Sequence, residues 1–240
     1  MLVGAIAMSA FGMQAKERTF TAACYNVDGL PAKLSFLKLN PDGPQEAGSD
    51  RISELIAEKG WDFFGVSEDF HYHTNLISQL GDYNIGKYRG SVTASNTSAA
   101  NMADTDGLCF FWKKELETGG EKMVPWKRKF GALTKGADEC IDKGYRYYWV
   151  KFPDGFEVDV YILHMNSGDE TGHLVARTIQ LNQLADDILA SDNKRPILIM
   201  GDTNCRWTRD NIDKNLFNRI NADPRFTIND PWVDFMWDGW

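Results

Sequence analysis

Short β-rich runs alternate along the chain with segments whose apolar residues recur at helical spacing. Arg18–Asn26 (RTFTAACYN) is rich in Thr and aromatic residues and is closed by the turn signal Asp28-Gly29 and by Pro31, which predicts a first strand. Pro41 to Gly48 reads as a Pro/Gly/Asp loop. Ser49 or Asp50 can then cap a helix that carries Ile52, Leu55 and Ile56 on one face and stops at Gly60. DFFGVS (62–67) predicts a buried strand, and 74–80 a short helix. Residues 91–106, rich in Ala, Ser, Thr and Asn and without periodicity, predict a long surface loop. GLCFFW (107–112), YRYYWVKF (145–152) and EVDVYILH (157–164) predict strands. Leu174, Leu181, Leu184 and Ile188 make the stripe of a helix within 172–190, and PILIMG (196–201) is an apolar strand running into a polar turn.

No repeat and no linker interrupts this pattern. A chain of 240 residues has room for one or two domains at roughly 150 residues each, and the unbroken pattern favours one, over 16–240. Strands outnumber helices and are not regularly interleaved with them. The pattern therefore favours an α+β arrangement, a mixed sheet or layered sandwich with flanking helices, over a doubly wound parallel sheet. Apolar and charged fractions of 43% and 25% are ordinary globular values and exclude a disordered or fibrous chain. Eight Trp in a 12% aromatic content call for a large core or a ligand cleft. A net charge of −8 argues against coating nucleic acid by bulk electrostatics, although an enzyme that meets one phosphate at a time stays open. No apolar run approaches the length of about 18 residues that spans a bilayer. Residues 2–12 (LVGAIAMSAFG) are apolar and small, and Ala15 precedes the first charges at Lys16, Glu17 and Arg18. This resembles the apolar core and cleavage end of an export signal without its basic start. Residues 1–15 are thus set apart as a signal remnant and export to the periplasm or exterior is expected, with a cytoplasmic site as the alternative.

Several motifs carry no chemistry. Cys24, Cys109, Cys140 and Cys205 contain no CxxC pair, which leaves neither a zinc ribbon nor a thioredoxin-type site, and they are expected as buried small hydrophobes. GDYNIGK (81–87) has the spacing of a phosphate-binding loop, but Tyr88 stands where the Ser/Thr should and no helix opens. No G-x-S-x-G elbow occurs. His71 and His73 alternate like zinc ligands without a third soft ligand nearby, and are expected to line a cleft. Lys127-Arg128-Lys129 beside Trp126 reads as a solvated edge.

Four other places put polar groups where an apolar strand ends: Asn26 in YNVDGLP, Glu68 in FFGVSEDF, His164 with Asn166 in VDVYILHMN, and Asp202 with Asn204 in ILIMGDTN. Side chains two apart on extended backbone point the same way, so His164 and Asn166 can face one site, as can Asp202 and Asn204 where the chain stays extended. Met at one rim, these ends would supply two carboxylates, three carboxamides and an imidazole. Oxygen donors without thiols suit a hard divalent ion, Mg²⁺ with Mn²⁺ as its substitute, and amide donors with a His suit phosphoryl chemistry.

The order YNV…GLP, SEDF, HMNSG, MGDTN, from about Thr19 to Trp232, resembles the endonuclease/exonuclease/phosphatase superfamily, with MGDTN its most specific part. The resemblance implies a four-layered α/β/β/α sandwich with the site at one rim of two packed sheets, and a magnesium-dependent phosphodiesterase or phosphatase. The implied substrates are nucleic acid, a phospholipid head group or a small phosphoester. YNV-x-GLP leans towards the sphingomyelinase-like side, and the acidic net charge disfavours avid DNA binding. By the same resemblance Glu68 is the principal ion ligand with Asn26 beside it. His164 contacts the phosphate, Asp202 and Asn204 position water and a phosphate oxygen, and Asn166 stands where relatives often have Asp. Arg177 and Gln180 brace the GDTN turn. The family's closing Asp-His pair is not found, since the last histidine is His173 and the text ends PWVDFMWDGW. The domain is therefore expected to be C-terminally truncated, lacking its last strand or strands, and to hydrolyse phosphoesters poorly or not at all as it stands. A catalytically silent binding module with the same sandwich is the alternative.

Overall fold

Among the described residues, ten strands form two four-stranded sheets and a small hairpin. The computed structural model describes residues 18–34, 37–90, 105–132, 138–192, 194–231 and 234. The signal-like arm, nearly all of the 91–106 loop and most of the aromatic C-terminus lie outside the described residues. In chain order the elements are β1 (Ala22–Asn26), β2 (Lys33–Leu34), β3 (Leu37–Lys38), α1 (Gln45–Lys59), β4 (Phe63–Ser67), α2 (His73–Leu76), β5 (Tyr83–Ile85), β6 (Cys109–Lys113) and β7 (Glu117–Pro125). They continue with β8 (Gly144–Lys151), β9 (Glu157–His164), α3 (Thr171–Ala190), β10 (Ile197–Asp202) and the one-turn α4 (Asn218–Asn221). The first sheet has the order β1-β4-β6-β5 and the second β10-β9-β8-β7. Within them β1/β4 and β10/β9 are parallel, and the remaining neighbours antiparallel.

Three apolar cores separate four layers, as the sandwich expectation requires. The alternation along each central strand explains why. In β4, Phe63 points to the inner core, where Phe110 meets Tyr148, Val160 and Ile162 of the facing sheet. Phe64 and Val66 point the other way, onto Ile56, Leu76 and Leu80 of the first helical layer. Along β9, Val160 and Ile162 face inward while Tyr161 and Leu163 pack on Leu181, Leu184, Ala185 and Ile188 of α3. Covered on both faces, these strands read as nearly continuous apolar text.

Several elements depart from the sequence reading. Helix α1 begins at Gln45, four residues before the expected cap, and Leu55 on it is exposed while Ile56 is buried. Gly60 does end it, in a left-handed conformation with φ 59°. Strand β7 (ETGGEKMVP) carries no apolar alternation because it is a solvated edge, and its register shifts between Gly119 and Lys122. Strand β5 occupies the centre of the would-be phosphate loop. Of the four cysteines, all free, Cys109 is buried, Cys205 half-buried, and Cys24 and Cys140 exposed.

At Gly65 the facing sheet leaves no room for a side chain, since a Cβ there would stand 2.6 Å from Ile162 Cγ2. Gly65→Ala overpacks the inner core and should lower stability by about 1–3 kcal/mol, read as a lower urea midpoint at unchanged slope. Asp62, one residue before β4, accepts hydrogen bonds from Thr21 N (2.7 Å), Thr21 Oγ1 (3.0 Å) and Lys113 Nζ (3.2 Å). Burial pushes its carboxyl up, but these donors outweigh burial and hold it below the usual range. A depressed carboxyl stabilises the fold above its unfolded pKa and loses that contribution as pH falls through the folded value. The stability gap between wild type and Asp62→Asn should therefore be full at pH 7 and shrink below about pH 4, in urea titrations at stepped pH.

Candidate functional site

Parallel pairing brings the C-terminal ends of four strands to one rim. The β9/β10 register sets Asp202 opposite His164, and β1/β4 sets Asn26 opposite Ser67. His164 and Asp202 each lie two residues beyond the inward-facing Ile162 and Met200, so both point between the sheets. Ser67 takes the inward position at the end of β4, and continued strand parity would turn Glu68 outward. Glu68 instead adopts φ 61°, a left-handed conformation that reverses its side chain towards the cleft.

The four side chains converge. Asn26 Nδ2 donates to Glu68 Oε1 and to Asp202 Oδ2, both at 2.9 Å. His164 Nε2 stands 3.8 Å from Glu68 Oε1 and 3.7 Å from Asp202 Oδ2. The three titratable groups offer ligand atoms all within 4.8 Å of one another. Asn26 Oδ1 accepts from the Asp28 amide (2.9 Å), which fixes which end of the carboxamide faces the acids. Burial, seconded by the Lys143 cation, pushes the His164 imidazole well below its ordinary pKa. Burial raises the Glu68 carboxyl, with Asn26 and Lys143 opposing and Asp28 and Asp202 reinforcing. Both ring nitrogens of His164 are buried without a hydrogen-bond partner, and the Trp126 indole donates to its carbonyl at 2.7 Å. A buried, neutral imidazole beside two carboxylates and a carboxamide fits a hard divalent ion and a phosphate oxygen.

Other expected site residues go elsewhere. Strand β10 ends at Asp202, and Asn204 turns left-handed (φ 51°), so the two do not continue in step. The Asn204 amide N–H donates to Asp202 Oδ1 (3.0 Å) and its side chain to Met165 O (3.3 Å). Strand β9 likewise ends at His164, and Asn166 enters a separate buried network. Its Oδ1 accepts from the Phe130 amide (2.8 Å), and its Nδ2 meets Asp138 Oδ2 (3.1 Å) and His173 Nδ1 (2.7 Å). His73 does not line the cleft: it is buried, bonded to Asp69 Oδ2 at 2.7 Å and stacked on Tyr88. His71, edge-on to Tyr72, stays half-buried. Arg177, fully buried, ties the Asn166 and Gly168 carbonyls (2.8 and 2.7 Å) to Asp210 (2.7 Å). Asp210 in turn binds Arg209, which donates to Asn204 O at 2.8 Å, so Arg177 reaches the GDTN turn through two intermediaries. Gln180 braces the Asn166 amide (3.0 Å) and Arg128 O (2.7 Å) rather than that turn.

Lys143 was not visible in the sequence as a site residue. Only 4% exposed, it pairs with Asp138 Oδ1 at 2.5 Å and puts a buried cation behind Glu68 and His164. A lysine one residue ahead of a strand gives no signal of such burial, which arises from Asp138 being held against Asn166 and Ser167 while Met165 O accepts from the Lys143 ammonium.

Comparison with known proteins agrees with this fold. The chain is 31% identical over 215 residues to the sphingomyelinase of Mycobacterium tuberculosis (strain H37Rv), covering 89% of this chain and 39% of that one. The sphingomyelinase of Mycobacterium bovis matches with the same figures. The chain thus spans about two fifths of the length of the curated relatives it matches. Among solved structures, sphingomyelinase C from Streptomyces griseocarneus superposes with a TM-score of 0.65 at 18% identity, over 83% of this chain and 70% of that one. A beta toxin mutant from Staphylococcus aureus with bound magnesium ions gives 0.63 at 21%, over 81% and 69%. At those identities the likeness shows the fold, a sandwich of two sheets with flanking helices. The model of the endonuclease/exonuclease/phosphatase family matches residues 23–240, and the chain belongs to that family.

Proposed function

We propose that this protein is a hydrolase of phosphoester bonds that works with a divalent ion, Mg²⁺ before Mn²⁺. The observation that carries the reading is the convergence of Asn26, Glu68, His164 and Asp202 at one rim, with the His164 ring nitrogens buried and unbonded. The donor set is oxygen-rich and lacks sulfur, which suits a hard ion. Glu68 would hold it, and Asn26, whose Nδ2 rather than Oδ1 faces the acids, would orient that carboxylate instead of ligating the ion as the resemblance implied. When bound, such an ion polarises the phosphate and offsets charge as the transition state forms.

The chain's own groups supply the rest. His164, kept neutral by burial, can hold a phosphate oxygen by an N–H hydrogen bond without the cost of desolvating a cation. Asp202, fixed by the Asn26 amide and the Asn204 backbone, can orient water and accept its proton. Asn204 keeps that carboxylate in place from the main chain. Asn166, spent in its own network, would act only by fixing the 165–168 turn. The substrate we favour is a phosphodiester with a phospholipid head group, on the likeness to the mycobacterial sphingomyelinases and on a net charge of −8, which disfavours nucleic acid. No described helix is long and apolar enough to cross a membrane. Export, on the signal-like 2–12 segment, is part of the same proposal.

Calorimetry should show Mg²⁺ binding to the full chain and a large loss of affinity in Glu68→Gln. An unchanged isotherm would remove Glu68 from the site. On a panel of bis-p-nitrophenyl phosphate, sphingomyelin vesicles and single-stranded DNA, His164→Ala should lower kcat by about 10²-fold or more with little change in KM, since the imidazole acts where charge develops. Wild-type turnover in His164→Ala would overturn its role, and Mg²⁺ binding by the natural full-length protein with no turnover on any ester would favour the binding module.

A further inference from the structure

Glu68 is held in a conformation that a non-glycine residue avoids, and such strain persists only where the surroundings over-determine it. Its carbonyl accepts from the Gly29 amide (3.0 Å) and the Phe70 amide (2.9 Å). Gly29 has to be glycine, since a Cβ would stand 2.4 Å from that carbonyl oxygen. The next residue, Asp69, is pinned twice. Its amide donates to Gly107 O at 3.0 Å, and its Oδ2 accepts from His73 Nδ1 at 2.7 Å, with both side chains buried. His73 lies face to face with the Tyr88 ring at 3.9 Å and 8°, and the Tyr88 hydroxyl donates to Phe70 O. Both residues that follow Glu68 are thus tied to one histidine–tyrosine unit on the side away from the cleft.

Asp69, His73 and Cys109 also form a buried group of possible metal ligands within 4.8 Å. The Asp69–His73 separation of 2.7 Å argues against an ion there, because two ligands on one tetrahedral zinc at about 2.0–2.1 Å each lie roughly 3.3 Å apart. The pair is a hydrogen bond, and its neighbour along the chain is the carboxylate of the site.

We propose that His73 is a positioning residue: bonded to Asp69 and backed by Tyr88, it keeps Glu68 left-handed and so sets how tightly the site holds its divalent ion. This rests on Glu68 being the ion's ligand. Without the His73–Asp69 bond the peptide after Glu68 can relax to the extended region, which swings the carboxylate away from Asn26 and His164. Partners that orient a ligand carry about 10–100-fold in metal affinity when removed.

The test is calorimetric titration of the metal-stripped full chain with Mg²⁺, for wild type and for Glu68→Gln, His73→Ala, His73→Gln and Tyr88→Phe. We expect Kd to rise about tenfold or more in His73→Ala, and to recover most of that loss in His73→Gln, whose amide can still donate to Asp69. Tyr88→Phe, which loses only a hydroxyl, should weaken binding several-fold and decides the matter should His73→Ala fail to fold. Wild-type binding in Glu68→Gln would mean the ion reading itself is wrong. Loss in Glu68→Gln with wild-type binding in His73→Ala, or in Tyr88→Phe where that variant decides, would overturn the positioning role alone. So would a His73→Gln as weak as His73→Ala.

Discussion

Two parallel strand pairs, facing each other across one core, are the constraint on which the site depends. Parallel strands end at the same edge, so β1 with β4 and β9 with β10 deliver four chain ends to one rim. The inner core fixes which side chains arrive facing inward. Phe63 and Ile162 cannot leave it, so Ser67 and His164 inherit their parity. A slip of one residue in β9 would bury Leu163 in place of Ile162 and turn His164 onto α3. The same packing that stabilises the sandwich therefore places the imidazole.

Electrostatics at the rim follow from that geometry. Two carboxylates drawn together by the sheets repel, and each is partly desolvated. Asn26 lies between them with one amide nitrogen donating to both, a neutral bridge that leaves the net negative charge available to a cation. His164 remains uncharged because burial and the nearby Lys143 both act against its protonation. A protonated imidazole would pair with the acids and fill the position where an ion is needed. The unpaired ring nitrogens are the cost of keeping the pocket open, of the order of 1–3 kcal/mol for each unsatisfied group.

Legibility in the sequence divides along physical lines. Strands covered on both faces, such as FFGVS and EVDVYILH, announced themselves because burial demands apolar text. The solvated edge ETGGEKMVP did not, since neither face is enclosed and its glycines accommodate a bulge against Trp149. Asn26, Glu68, His164 and Asp202 were readable as polar groups closing apolar runs. The assumption that strand parity continues past those ends misplaced Asn166 and Asn204, because the chain turns at His164 and Asp202. Glu68 reaches the cleft for the opposite reason: parity would have carried it away, and a left-handed residue returns it. His73 and Lys143 bond to aspartates only four and five residues away, but what buries them, Tyr88 and the segment at Met165, comes from elsewhere in the chain and no local pattern encodes it.

Three buried cations share one arrangement around this rim. Arg146 makes a two-point pair with Asp106 (2.8 and 2.6 Å), Lys143 pairs with Asp138, and Arg177 with Asp210. In each case a base on or beside a regular element holds an aspartate that belongs to a connecting segment. Replacing such pairs by apolar residues often leaves stability unchanged or improved, because desolvation offsets most of the attraction. Their value here lies in where the aspartates sit. Asp106 adjoins Gly107, whose carbonyl receives the Asp69 amide. Asp138 carries the Ser167 backbone, and Asp210 the 206–209 turn next to Asn204. Each of these three described segments is thereby referred to the rigid sheets or to α3 through a directional, desolvated bond that an apolar contact could not supply. A site made of side chains at strand ends needs its loops fixed to within a fraction of an ångström, and in this fold the buried ion pairs carry that demand.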